Sequence, residues 1–327
     1  MKAKLLNSTR IEGILYQHNL ELKVSGPNSK KPGTEFISGT IDIATNDKKT
    51  NIVPVHFTYS TAVTANGKEN ATFTTLKNII DGKIGCYTNP DVGENAAKIR
   101  VDSAIGLNEF YSDRSGTEEL VSVKRNEGGF VHVVQSISEN ENQRSTFEAD
   151  VVIVGVKEKE PVEDNNGNVV APAKAIIDGR IFDFRKEMLP VTFSAINPKA
   201  IDYFVSLEAS SKNPVFTKIR GQIVSEQITR YITEESAFGE DSVREVQSSN
   251  KDYVVTWAAS EPYEFGLEET ITFADLKAAA QARENTLATL KARRDEYKAS
   301  QGNAIGTATA TKATPAPAAP AEDDFDF

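Results

Sequence analysis

The chain has 327 residues and a net charge of −10, enough length for two ordinary domains and a tail. Its one cysteine, Cys86, and three scattered histidines, His18, His56 and His132, exclude a disulfide scaffold and a cysteine-clustered metal site. No apolar run reaches the ~18 residues of a membrane span, no signal peptide is visible, and no P-loop, nucleophile elbow or paired-carboxylate pattern stands out, so the expectation is a non-enzymatic cytoplasmic protein with no cofactor, metal or membrane partner.

The elements repeat along the chain. Glu12-Gly13-Ile14-Leu15 opens a long Ile- and Leu-bearing strand, and a hairpin follows between Gly39 and Phe57 around the polar turn Asn46-Asp47-Lys48-Lys49. Thr74 to Ile80 has helical character, Lys98-Ile99-Arg100 begins a further strand, and Gly129 to Val133 closes the set. The second half answers in the same order. Glu148-Ala149-Asp150-Val151 matches the first strand, and Leu189-Pro190-Val191-Thr192-Phe193 matches Val53-Pro54-Val55-His56-Phe57 at the same offset. Gly179 is paired with Gly39, and Lys218-Ile219-Arg220 answers Lys98-Ile99-Arg100 at a shorter offset, as shorter loops require. Asn197-Pro198 starts a helix over Lys199 to Ala209, and Asp252 to Trp257 is the closing strand.

Each copy therefore contains a long first strand, a hairpin, a short helical segment, another strand and a final strand pair. A five-stranded antiparallel barrel with a helix before its fourth strand is the OB-fold, although a small β-sandwich uses the same strand pattern. Thr272-Phe273-Ala274-Asp275 resembles a capping box opening one long helix that stops near Gly302, with Leu276, Ala280, Arg283, Leu287, Leu290 and Tyr297 as its packing stripe. The fold class is thus mainly β: residues 1–144 and 145–271 as two OB-like domains, 272–302 as a helix, and 303–327 as a disordered linker and acidic tip.

Charge is uneven. Residues 1–100 carry Lys and Arg in excess of Asp and Glu, whereas 101–150 are strongly acidic, so a local groove and not the net charge decides whether phosphates are met. On the second hairpin Ile181 points inward with Ile41, which sends Phe182, Phe184 and Lys186 to the other face as a stacking platform, the alternatives being a strand buried on both faces or a reversed register. The corresponding outward positions of the first copy, Thr40, Asp42 and Ala44, offer none. Lys98 with Arg100 and Lys218 with Arg220 repeat as cation pairs on one strand face. Lys48, Lys49, Lys124, Arg125, Arg185 and Arg230 lie in or beside loops, and Tyr59, Tyr111 and Trp257 are stacking candidates, with surface charge and core packing as the competing roles.

The end of the chain is a tether and a hook. Ala, Thr and Pro dominate from Ile305 to Ala321 with nothing to bury, and Glu322, Asp323, Asp324 and Asp326 then surround Phe325 and Phe327. This ending resembles the acidic, Phe-terminated tips of bacterial and bacteriophage single-stranded DNA-binding proteins, closer to the phage form because Asp326 stands where the bacterial tip usually has Pro. The resemblance implies a protein that coats single-stranded DNA in the cytoplasm, the host's if the source is viral. It also implies recruitment of replication, recombination and repair proteins such as a polymerase or helicase through the tip. The alternative is a structural or adaptor protein, for example a virion component, built on tandem β-domains.

Overall fold

The computed structural model describes residues 5–27, 29–114, 116–163, 169–234, 242–267 and 270–304. The first repeat comprises β1 (Asn7–His18), β2 (Glu21–Val24), β3 (Glu35–Ala44), β4 (Ile52–Thr61), α1 (Ala71–Ile80), β5 (Lys98–Ser112) and β6 (Glu119–Val133). Alternation drives the strands: Ile37, Ile41 and Ile43 of β3 and Val53, Val55 and Phe57 of β4 all point into one core. β1 pairs with β3, β3 with β4, β5 with β6 and β1 with β5, all antiparallel, while β4 meets β6 in parallel. That circuit, first strand to second, third, fifth, fourth and back, is the OB barrel, and its closure excludes the open sandwich. Asn70 caps α1 by accepting from the Thr72 N–H, and Phe73, Leu76 and Ile79 turn into the barrel.

The second repeat comprises β7 (Ser145–Lys159), the short pair β8 (Val162–Glu163) and β9 (Val169–Ala171), then β10 (Lys174–Phe182), β11 (Met188–Ala195), α2 (Pro198–Ser206), β12 (Val215–Glu234) and β13 (Ser242–Ala258). Its circuit is identical, with β11 and β13 as the parallel pair. The match extends to register. Gly13 faces Ile99 and Ala149 faces Ile219, so the two cation pairs occupy one position in both copies. The prolines also match, Pro54 opposite Asp42 and Pro190 opposite Arg180. Gly39 and Gly179 do not: Gly39 faces Phe57 and Gly179 faces Val191, a two-residue slip that leaves side-chain parity intact. Both barrels also bend by a bulge between their fourth and fifth strands. Gly221 is needed there, because a Cβ would lie 2.0 Å from the Val254 carbonyl oxygen.

The barrels share a sheet. β1 and β7 pair antiparallel from Asn7↔Ala149 to Ile11↔Ser145, and Arg10 faces Thr146. One apolar cluster runs from Ile11 and Leu15 through Phe147 to Phe193 and Tyr253. Each closing hairpin also reaches the other barrel. The Tyr253 hydroxyl bonds Asn126 (3.1 Å), and Asn51 accepts from the Ser225 N–H (2.6 Å). Accordingly both barrels and the chain up to Arg283 fall within one compact unit.

The last element is α3 (Phe273–Ala304), which continues through Gly302. The capping box is present: the Asp275 N–H donates to Thr272 Oγ1 (3.0 Å), and the Thr272 N–H donates back to Asp275 (3.1 Å). Leu276, Ala279 and Ala280 pack on Val152, Phe182 and Met188 of the second barrel. Arg283 reaches Glu109 (2.5 Å) and the Met188 carbonyl (3.3 Å).

Candidate nucleic-acid interface

Oligonucleotides bind an OB barrel on the outer face of its second and third strands and on the flanking loops. In the first barrel this face is open. Phe36 of β3 and Tyr59 of β4 lie with ring centroids 4.5 Å apart, tilted by 34°, and Tyr59 is 50% exposed. The Tyr59 hydroxyl is 3.1 Å from Ser25 Oγ, which ties the ring to the loop that joins β2 and β3. That loop brings Lys30 and Lys31 to a cavity of about 890 Å³, also lined by Ser29, Thr34, Tyr59 and Val63. Lys23 on β2 stands beyond it, paired with Glu21 at 2.8 Å. A ring pair beside solvated cations can stack bases and neutralise phosphates. Further along the face His56 bonds Thr40 Oγ1 (3.0 Å), and burial lowers its pKa, so its imidazole is neutral at pH 7.

The second barrel differs. Phe182 is only 2% exposed, which corrects the expected platform: Met188, Phe216, Ile271 and the start of α3 cover it. The register argument correctly set Ile181 inward, but the opposite face is occupied by a segment nearly ninety residues later in the sequence. Arg180 on that face is buried enough to depress its pKa. Phe184, in contrast, is 91% exposed at the tip of the β10–β11 turn, with the Arg185 guanidinium 5.2 Å from its ring. Asp183 shapes this turn by accepting from the Arg185 and Glu187 N–H groups, and Lys186 adopts φ 66°.

The remaining candidates divide. Lys48 is exposed in the β3–β4 turn, whereas Lys49 folds back onto Glu94 (3.2 Å) and over the Tyr87 ring (4.5 Å). Lys124 is a clamp between barrels, which corrects its loop assignment: its ammonium donates to the Thr192 carbonyl (3.0 Å) and pairs with Asp252 (3.5 Å). Burial lowers its pKa, with Asp252 opposing the shift. Arg125, largely covered, pairs with Glu127 at 2.6 Å, so neither lies in an open loop. Tyr111 sits on β5 opposite Leu120, near the tip of the β5–β6 hairpin.

On the outer sheet Lys98 is exposed and Arg100 pairs with Asp102 (3.2 Å). Lys218 and Arg220 both reach Glu148, at 3.7 and 2.9 Å, and Arg220 lies 4.7 Å over the Trp257 ring. Arg230 belongs to β12 by its backbone, and its side chain, like the tip Glu322–Phe327, lies outside the described residues. Sequence reasoning missed Phe36, Lys23, Lys30 and Lys31. The signal was present as a basic doublet before Pro32-Gly33 and a strand-opening Phe.

Among solved structures, a deletion mutant of the single-stranded DNA binding protein from Thermus aquaticus is similar at 10% identity and a TM-score of 0.44, covering 81% of this chain and 99% of that chain. No curated protein matches the chain. The sequence model of one family, YorF, matches residues 5–293, nearly the whole of both barrels and most of the helix, and the chain belongs to the YorF family.

Proposed function

We propose that the chain is a non-catalytic, cytoplasmic single-stranded DNA-binding protein that coats and protects the strand. The observation that carries this reading is the open outer face of the first barrel, where Tyr59, packed on Phe36, lines a cavity together with Lys30, Lys31 and Glu35. The rings stack on unpaired bases, which a duplex keeps inside its own stack, and the lysines release counterions from the phosphates. A net charge of −10 is compatible with this because the first hundred residues are locally basic.

The acidic tip is proposed to recruit replication, recombination and repair proteins, and to compete with DNA for the cationic groove. Removal of Glu322–Phe327 should then leave DNA affinity equal or higher while abolishing capture of such a partner. Weaker DNA binding after the deletion would contradict this role. A second reading, the structural or adaptor protein, draws on the exposed apolar side chains Phe110, Leu120 and Val123 of the β5–β6 hairpin. The two separate on fluorescence anisotropy of a labelled oligothymidylate and the matching duplex at two salt concentrations. Salt-sensitive binding that prefers the single strand supports DNA coating, and no binding at low salt leaves the adaptor.

A further inference from the structure

The β1–β7 ladder makes one outer sheet face continuous across both barrels, in the order β6, β5, β1, β7, β12, β13. Directly opposed residues share a side of the sheet, so pairing places Phe130, Asp102, Arg10, Thr146, Gln222 and Val254 in one outward row. The row is centred on Arg10 and Thr146. On one side of it Glu12, Arg100 and His132 face one another in sequence, and on the other Glu148, Arg220 and Trp257 do so. Each barrel therefore carries a carboxylate, an arginine and a ring on its first, fourth and fifth strands, related by the local twofold of the ladder.

The rings and Arg10 are open, whereas Glu12, 3.8 Å from the Arg10 guanidinium, is buried. Phe130 is 69% and Trp257 45% exposed, and Arg10 is largely solvated. The linker between the barrels borders the face, with the Ser138 N–H on Glu12 (2.7 Å) and the Asn142 carbonyl on Gln222 (3.1 Å). An exposed Phe and Trp on the flat side of a sheet, with Arg10, Arg100 and Arg220 between them, match the base-and-phosphate chemistry of a single strand. The five strand-to-strand steps from β6 to β13 separate Phe130 and Trp257 by about 24 Å along the sheet.

We propose that this continuous face is a second single-stranded nucleic-acid contact, distinct from the β3–β4 face, on which one strand crosses from the first barrel to the second and stacks on Phe130 and Trp257. It rests on the reading of the chain as a single-strand binder. Bound phosphates replace Asp102 and Glu148 as partners of Arg100 and Arg220.

The test uses the single tryptophan, Trp257, as an internal reporter. The full chain is titrated with a labelled oligothymidylate while oligonucleotide anisotropy and Trp257 emission are followed together. Expected are quenching that saturates with the anisotropy change, and a loss of affinity of about tenfold in each of the exposed-site variants Phe130→Ala and Arg220→Ala, with circular dichroism unchanged. Binding with unaltered Trp257 emission, or with both variants at wild-type affinity, overturns the second contact and leaves the first-barrel site standing. No anisotropy change at low salt overturns both.

Discussion

Two phenylalanines on the second strands of the two barrels have opposite surroundings. Phe36 lies beside an exposed Tyr59, whereas Phe182 is sealed by α3 and the segment before it. Replacing both Phe36 and Tyr59 with Ala should weaken single-strand binding by about 1–3 kcal/mol per stacked base, read by titration, with little change in the melting temperature. Phe182→Ala should instead destabilise the fold by about 3–5 kcal/mol in a denaturant titration, with the affinity of folded protein unchanged.

A second residue-scale expectation concerns acid. Arg144, nearly buried, donates to Asp47 at 2.6 Å and to the Ser138 carbonyl at 2.6 Å, and the guanidinium beside Asp47 holds that carboxyl below its usual pKa. A depressed folded pKa adds stability above the unfolded value of about 3.9 and loses it as pH falls through the lower folded value. Asp47→Asn should therefore lower the melting temperature at pH 7, and the gap to wild type should close in acid. A gap that is constant with pH would contradict the ion pair.

At the scale of elements, strand alternation and turn residues were readable because they are local. Ile41, Val55 and Ile181 face the core as their period of two requires, and Asn197 and Thr272 cap the helices that follow them, although the first helix starts at Ala71 behind its Asn70 cap and not at Thr74. What covers a strand's outer face is not local. The burial of Phe182 depends on Ile271 and Ala279, and the clamp role of Lys124 depends on Thr192 and Asp252, none of them near in sequence. The open site was half legible for the same reason: Tyr59 stood out as an aromatic and the lysine doublet was visible as a motif, but that Phe36 and the β2–β3 loop meet Tyr59 is a non-local contact. The start of α3 is the decisive cover of the second barrel. Leu276→Ala should cost about 2 kcal/mol of stability, measured by denaturant unfolding. An unchanged midpoint would mean that the helix only rests on the barrel.

For the whole molecule, the repeat in sequence is a repeat in hydrogen-bond register, with Gly13↔Ile99 answered by Ala149↔Ile219. Tandem barrels are often independent beads, but here a common ladder, a common apolar cluster and the Asn51 and Tyr253 hydrogen bonds join them. The barrels should melt in a single calorimetric transition, and two resolved transitions would contradict the shared core. Shared packing also fixes the open face of one barrel relative to the sheet that spans both.

The most direct measurement is an anisotropy titration of labelled oligothymidylate with the wild-type chain and with the Phe36→Ala/Tyr59→Ala variant, each against the matching duplex at low and moderate salt. The account predicts tight, salt-sensitive binding that prefers the single strand and falls about tenfold or more in the variant. Absence of binding, or equal affinity for duplex with no loss in the variant, would contradict it.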